Sequence, residues 1–167
     1  MKRRRSFSEE CGKLWAPWRS EYIRLKGRKG CIFCIKSLKG SNSDKKKYIL
    51  RKTAHSFSML NIYPYNAGHV MVAPFMHTRD IARLSDKELL DLMKLLRDTL
   101  KLLNNKLHPD AFNVGINIGK TAGAGFSGHL HIHIVPRWTG DTNFMPVVAG
   151  TKVVSDSLGA MYKRLTR

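Results

Sequence analysis

The chain has 167 residues, 43% of them hydrophobic, and a formal net charge of +18. That is enough apolar material for one core, which excludes a disordered chain, and no apolar run approaches the roughly 20 residues that a membrane span requires. The charge is lopsided: residues 1–52 hold 17 basic and 4 acidic side chains and residues 53–167 hold 13 and 8, a field that attracts nucleic acid, anionic membrane or polyphosphate metabolites and equally keeps a protein soluble.

The first ten residues are basic but lack an apolar run behind them, so a secretory signal is not expected and the cytoplasm is the expected compartment. Residues 1–47 read as a basic N-terminal extension. It carries Trp15-Ala16-Pro17-Trp18-Arg19, a short helix candidate through Tyr22 and Leu25, and a polar stretch, Lys39–Lys47, that reads as an exposed loop. Its cysteines are Cys11, Cys31 and Cys34, an odd number that argues against a disulfide framework. Cys31-Ile32-Phe33-Cys34 has the spacing of half a zinc site or of a redox pair.

Residues 48–167 read as the main folded domain, and the pattern becomes sheet-like from Tyr48. Tyr48–Leu50, Ser56–Ile62 and His69–Ala73 are strand candidates, and the turn Tyr63–Gly68 between the last two makes an antiparallel meander. Ser85 with Glu88 forms a capping box that opens a long helix. Leu89, Leu92, Met93, Leu96, Leu100, Leu103 and Leu107 make its apolar stripe, and Pro109 blocks its continuation. Phe112–Ile118 and His129–Val135 are two further strands, flanking a glycine-rich loop at Gly119–Gly128. Val153–Leu165 reads as a C-terminal helix with Leu158, Met161, Tyr162 and Leu165 facing inward. The sum is an α+β layer: a sheet with one long helix on a face.

The informative segment is His129-Leu130-His131-Ile132-His133-Ile134-Val135. Alternate residues of a strand share a face, so Leu130, Ile132 and Ile134 point to the core and three imidazoles line the other side. Such a row is a His-rich polar face, a metal site, or a centre for nucleophilic catalysis on phosphorus. Neutral imidazole is a good nucleophile at pH 7 and a good leaving group once protonated. The loop before it favours phosphorus: Gly123, Ala124 and Gly125 can present backbone N–H groups to an anion, with Ser127 as a hydroxyl donor and Asn117 reaching across from the neighbouring strand.

These residues resemble the histidine triad hydrolases and transferases, whose signature is His-x-His-x-His followed by two apolar residues. The likeness extends to Asn61-Ile62-Tyr63-Pro64, to Gly68–Pro74 with His77, to Asn117-Ile118-Gly119 and to Trp138–Val147. The last block, with Trp15–Arg19, resembles the branch that contains bacterial diadenosine tetraphosphate phosphorylases. The resemblance implies a mostly antiparallel five-stranded sheet, a long helix, a C-terminal helix and a homodimer.

It also implies nucleotidyl transfer or hydrolysis at the α-phosphate of a dinucleoside polyphosphate or other adenine nucleotide, with inorganic phosphate or water as acceptor. His131 would be the nucleophile, with His129 and His133 assisting. Asn61, Asn117, Gly125, Ser127, His133 and Trp138 would contact substrate, and His69 would support the triad. The family usually has Gly-Gln in the glycine loop; here the sequence is Gly125-Phe126-Ser127, which weakens the transfer of the loop contacts. By the same resemblance Cys31, Cys34, His77 and His129 would close a structural zinc site, an assignment that competes with a phosphate role for His129. The alternatives are a hydrolase of adenylated small molecules or nucleic-acid ends, a metal hydrolase with the triad on zinc, and a basic nucleic-acid-binding protein.

Overall fold

A computed structural model describes residues 30–35, 41–142, 154 and 156–167. Cys11, Trp15, Trp18, the helix candidate at Tyr22 and Leu25, and the block 143–147 lie outside the described residues. Residues Gly30–Thr139 and Val154–Arg167 form one compact unit. No described helix is long and apolar enough to cross a membrane.

In chain order the elements are α1 (Ser41–Lys46), β1 (Ile49–Lys52), β2 (Ser56–Leu60), β3 (Val70–Pro74), a 3-10 turn (Ile81–Arg83), α2 (Asp86–Leu107), β4 (Ala111–Ile116), β5 (Ile132–Arg137) and α3 (Leu158–Thr166). The five strands form one antiparallel sheet in the order β1-β2-β3-β5-β4. This is the expected α+β layer. The polar stretch expected as a loop holds the six-residue α1 instead: its charges follow the helix dipole, with Asp44 in the first turn and Lys45 and Lys46 in the last, and Asp44 pairs with Lys52 of β1.

The helix α2 opens with the expected capping box. The Ser85 side chain accepts from the Glu88 N–H, and the Glu88 carboxylate takes the Ser85 N–H. Its buried face is Leu92, Leu95, Leu96, Thr99, Leu103 and Leu107. Met93, expected in the stripe, is 53% exposed. At 3.6 residues per turn it lies about 95° from the centre of that buried arc, whereas Leu95 lies on the arc's other margin, toward the sheet. Thr99 is tolerated inside because its hydroxyl donates to the Leu95 carbonyl at 2.7 Å.

The alternation within the strands sorts the core into two layers. Leu60, Val70, Val72, Leu130, Ile132 and Ile134 pack against α2 and against Met161 and Leu165 of α3. On the other face Phe57, Met59, Met71 and Ala73 pack with Ile49 and with Phe33 and Ile35 of the Cys31–Ile35 segment. Strand β5 starts three residues later than expected and runs on through Pro136. A proline is admitted there because β3 pairs with β5 only at Ile132–Ile134, and past that end the Asn66 amide donates to the Pro136 carbonyl at 2.9 Å.

Candidate functional site

The extended lead-in to β5 keeps the strand alternation, so His129, His131 and His133 lie on the face opposite α2, beside Met71 and Phe33. His129 and His131 are buried and His133 is half-buried. Their hydrogen bonds fix which nitrogen of each ring carries the proton. His131 Nδ1 lies 2.8 Å from the His129 carbonyl oxygen. A carbonyl only accepts, so Nδ1 holds the hydrogen and Nε2 holds the lone pair. That is the arrangement a nucleophilic imidazole needs.

His133 takes the opposite tautomer through a relay that starts at the β2–β3 turn. The Tyr65 N–H donates to His69 Nδ1 at 3.0 Å, and the Asn61 amide nitrogen lies 3.3 Å from the same atom. His69 Nδ1 is therefore an acceptor, and its Nε2–H faces His133 Nδ1 at 3.0 Å. His133 then carries its proton on Nε2. The site thus holds one ring with a lone pair and, beside it at 4.8 Å between centroids, one with an N–H.

All these rings are held neutral. Burial, with His133 and His131 nearby, pushes His69 down to about 3. Burial and the neighbouring His131 push His133 down to about 4. Burial also lowers His131, opposed by its bond to the His129 carbonyl. An imidazole below its ordinary value is a free base at neutral pH.

His129 serves a second cluster. Its Nε2 lies 2.9 Å from the Pro74 carbonyl, so that nitrogen donates and Nδ1 keeps the lone pair. His129 Nδ1 is 3.4 Å from Cys31 Sγ and 3.3 Å from His77 Nδ1, and His77 Nδ1 is 3.2 Å from Cys34 Sγ. The four ligand atoms lie within 4.8 Å of one another. A tetrahedral zinc with two sulfur and two nitrogen ligands has edges of about 3.3–3.8 Å, so the donor set and its spacing fit that ion. The Pro74 carbonyl orients the imidazole as the outer partner of a metal-binding histidine does. Burial, the leading cause, raises the Cys31 thiol to about 11, so a nearby dication is what would draw off its proton.

The other sequence-derived candidates fall in different places. Asn61 is buried and its amide is engaged on both ends, with Oδ1 accepting the Tyr63 N–H at 2.9 Å and Nδ2 facing His69. Asn117 follows β4 directly, one step past the register pair Ile116↔Ile132. Gly125 and Ser127 sit exposed in the loop before the histidines. Phe126, which stands where the resemblance expects Gln, sets its edge on Phe33. Trp138 packs with the α2-side cluster, and its indole N–H donates to the His108 carbonyl.

Three features escaped the sequence reading. Phe33 is fully buried and stacks on His131 at 4.7 Å. Tyr65, 53% exposed, lies against both His69 and His133. The Pro74 and His129 carbonyls set two tautomers. Only the aromatic inside C-x-x-C carried a sequence signal, as an apolar residue between two candidate ligands.

A family model described as the HIT domain matches residues 42–140. The chain belongs to the HIT, or histidine triad, family. It is 38% identical over 116 residues to proteins named AP-4-A phosphorylase from two strains of Mycobacterium tuberculosis, a match covering 70% of this chain and 60% of theirs. It is 29% identical over 139 residues to the adenosine 5'-monophosphoramidase of Candida albicans, covering 81% of this chain and 88% of that one. A zinc-bound histidine triad family protein from Mycobacterium smegmatis shares the fold at a TM-score of 0.64 and 24% identity, covering 82% of this chain and 91% of its own.

Proposed function

We propose that this HIT-family chain cleaves dinucleoside polyphosphates, diadenosine tetraphosphate in the first place, through a covalent nucleotidyl-His131. The observation that carries the reading is a pair of contacts, His131 Nδ1 on the His129 carbonyl and His133 Nδ1 on His69 Nε2, which assign opposite tautomers to neighbouring rings: His131 with its lone pair on Nε2 and His133 with its proton on Nε2. Nε2 of His131 attacks the α-phosphorus, the bond to the bridging oxygen breaks, and ATP leaves. His133 Nε2–H hydrogen-bonds the oxygens whose charge grows in that step. Inorganic phosphate then attacks the nucleotidyl-histidine and releases ADP, or water attacks and releases AMP. The 38% identity to relatives named AP-4-A phosphorylase favours phosphate.

His129 belongs in this reading to the metal and not to the substrate, since its two ring nitrogens face Pro74 and the Cys31–Cys34–His77 cluster. Zinc there would supply a cross-link that fixes the Cys31–Cys34 turn; the chain's own imidazoles carry the phosphorus chemistry. Asn117, Gly125 and Ser127 remain the candidates for phosphate contacts. We also propose a homodimer, supported by the edge strand β4 with Val114 45% exposed and by Ile118, two residues past its end, 54% exposed.

Purified protein is incubated with diadenosine tetraphosphate, with and without inorganic phosphate. ADP and ATP that appear only with phosphate support the phosphorylase. Phosphate-independent AMP makes it a hydrolase, and inertness toward this compound, adenosine phosphoramidate and adenylated oligonucleotide ends removes the enzyme reading. Mass spectrometry of the quenched reaction locates the nucleotide adduct, expected on the peptide with His131 and absent from His131→Ala.

A further inference from the structure

We infer that Phe33 is a positioning residue for the nucleophile, and that the Cys31–Cys34 turn is the device that holds it there. The inference rests on His131 being the nucleophile, as proposed above. Phe33 lies between the two cysteines, 1% exposed, with its ring stacked on His131 at 4.7 Å and 24°. The same ring touches His129 at 5.3 Å and takes the edge of Phe126 at 5.9 Å. The imidazole of His131 is thus fixed on two sides. The His129 carbonyl holds Nδ1–H in the ring plane, and Phe33 covers one face.

Neither restraint is sufficient alone. A single hydrogen bond leaves the ring free to swing about it, whereas a planar neighbour packed on one face blocks that rotation. Aiming Nε2 at phosphorus requires both, because a misaligned nucleophile loses much of the advantage of proximity. A turn of only four residues also ties Phe33 directly to the metal-ligand cluster. Cys31 Sγ and Cys34 Sγ flank it in sequence, and each approaches a histidine, His129 and His77 respectively. His129 then acts twice: its ring belongs to the cluster and its carbonyl orients His131. Loading of that cluster and alignment of the nucleophile are therefore linked through two contacts, Phe33 and the His129 main chain.

The test compares Phe33→Leu, which keeps an apolar side chain but removes the flat face, with Ile35→Ala. Ile35 is equally buried in the same segment and cluster. Four quantities are read on each full-length variant: bound zinc, steady-state kcat and KM for diadenosine tetraphosphate, and the tautomer of His131 by 15N NMR of histidine-labelled protein. Phe33→Leu is expected to keep its zinc and its KM, to lower kcat at least tenfold, and to replace the single Nδ1–H signature of His131 by a mixture of both tautomers. Ile35→Ala is expected to leave tautomer and kcat unchanged. Wild type stripped of zinc should show the same mixed His131 signature, a readout that needs no turnover.

Wild-type kcat and a single tautomer in Phe33→Leu would overturn the inference, as would an equal loss in Ile35→Ala, which would reduce Phe33 to packing. If Phe33→Leu does not fold, the zinc-stripped wild type decides by its His131 signature. An inactive wild type refutes the function proposed above instead, and the two failures stay distinct.

Discussion

At the scale of single residues, the site is a set of proton assignments made by its neighbours. Two backbone carbonyls, of Pro74 and His129, and one backbone N–H, of Tyr65, decide the tautomers of four histidines. The spacing of the triad was legible because period two is a property of any strand. The tautomers were not, because each partner comes from a distant segment or from main chain, which has no residue type to read.

His69 illustrates the consequence. It is fully buried and donates to His133, so His69→Leu leaves His133 Nδ1 without its donor. Losing a partner of that kind costs about 1–3 kcal/mol, so kcat should fall by about 5- to 150-fold while nucleotide binding changes little. Steady-state kinetics with a separate nucleotide titration checks this.

The same burial sets a pH dependence. His69 ionises at about 3 in the folded chain and at its ordinary value of 6.5 when unfolded. Between those values the unfolded chain binds the extra proton and the folded chain does not. Stability is therefore complete above about pH 6.5 and is lost as pH falls toward 3, by up to about 1.4 kcal/mol per pH unit from this group. Urea midpoints at pH 7.5 and pH 5 should show the lower stability at pH 5; a midpoint unchanged between them contradicts a neutral buried His69.

At the scale of elements, periodicity fixed the type of the five strands and of α2 and α3 better than their rotation or their ends, and it missed α1, whose six polar residues carry no apolar period. The stripe of α2 was readable as Leu at three- and four-residue spacing, yet Met93 and Leu95 traded places. Both satisfy the spacing, and only the position of the sheet chooses between them. Leu95→Ala should therefore cost about 2–5 kcal/mol, while Met93→Lys should stay within about 0.5 kcal/mol. Thermal unfolding of the two variants measures the contrast.

The turn before β3 is set by a backbone demand. Gly68 has φ +70°, and a Cβ there would lie 2.5 Å from Leu107 Cδ1. Gly68→Ala combines that positive φ with a clash against the end of α2, for an expected loss of about 1–3 kcal/mol. Its neighbour His69 ties the shift to the relay, so kcat should fall with stability. An alanine variant with wild-type Tm and kcat would show that the turn absorbs the methyl.

At the scale of the whole molecule, the fold class was readable from pattern, but the site is a product of topology. Cys31 and His129 stand 98 residues apart and meet at 3.4 Å because the first segment packs over the face of β5. Spacing marked the half-site; only the resemblance named its partners. Sheet order has a second consequence. Strand β5 lies inside the sheet between β3 and β4, which leaves β4 as an edge. That edge carries Val114, and Ile118 follows two residues past its end; both are large, apolar and exposed, and Gly115 beside Val114 offers no side-chain obstacle. An exposed apolar edge strand is a template for pairing, and proteins that stay monomeric blunt such edges with charge or proline. Among the described residues β4 has neither. A two-fold pairing of β4 with its copy would continue the sheet across both chains and bring each chain's Asn117 near the shared seam, because Asn117 follows the strand directly. Light scattering at micromolar concentration should therefore report twice the chain mass. Val114→Lys, which puts like charges at the seam, should shift the population to monomer while leaving the circular dichroism of the fold intact. A wild type that scatters as a monomer would rule the pairing out.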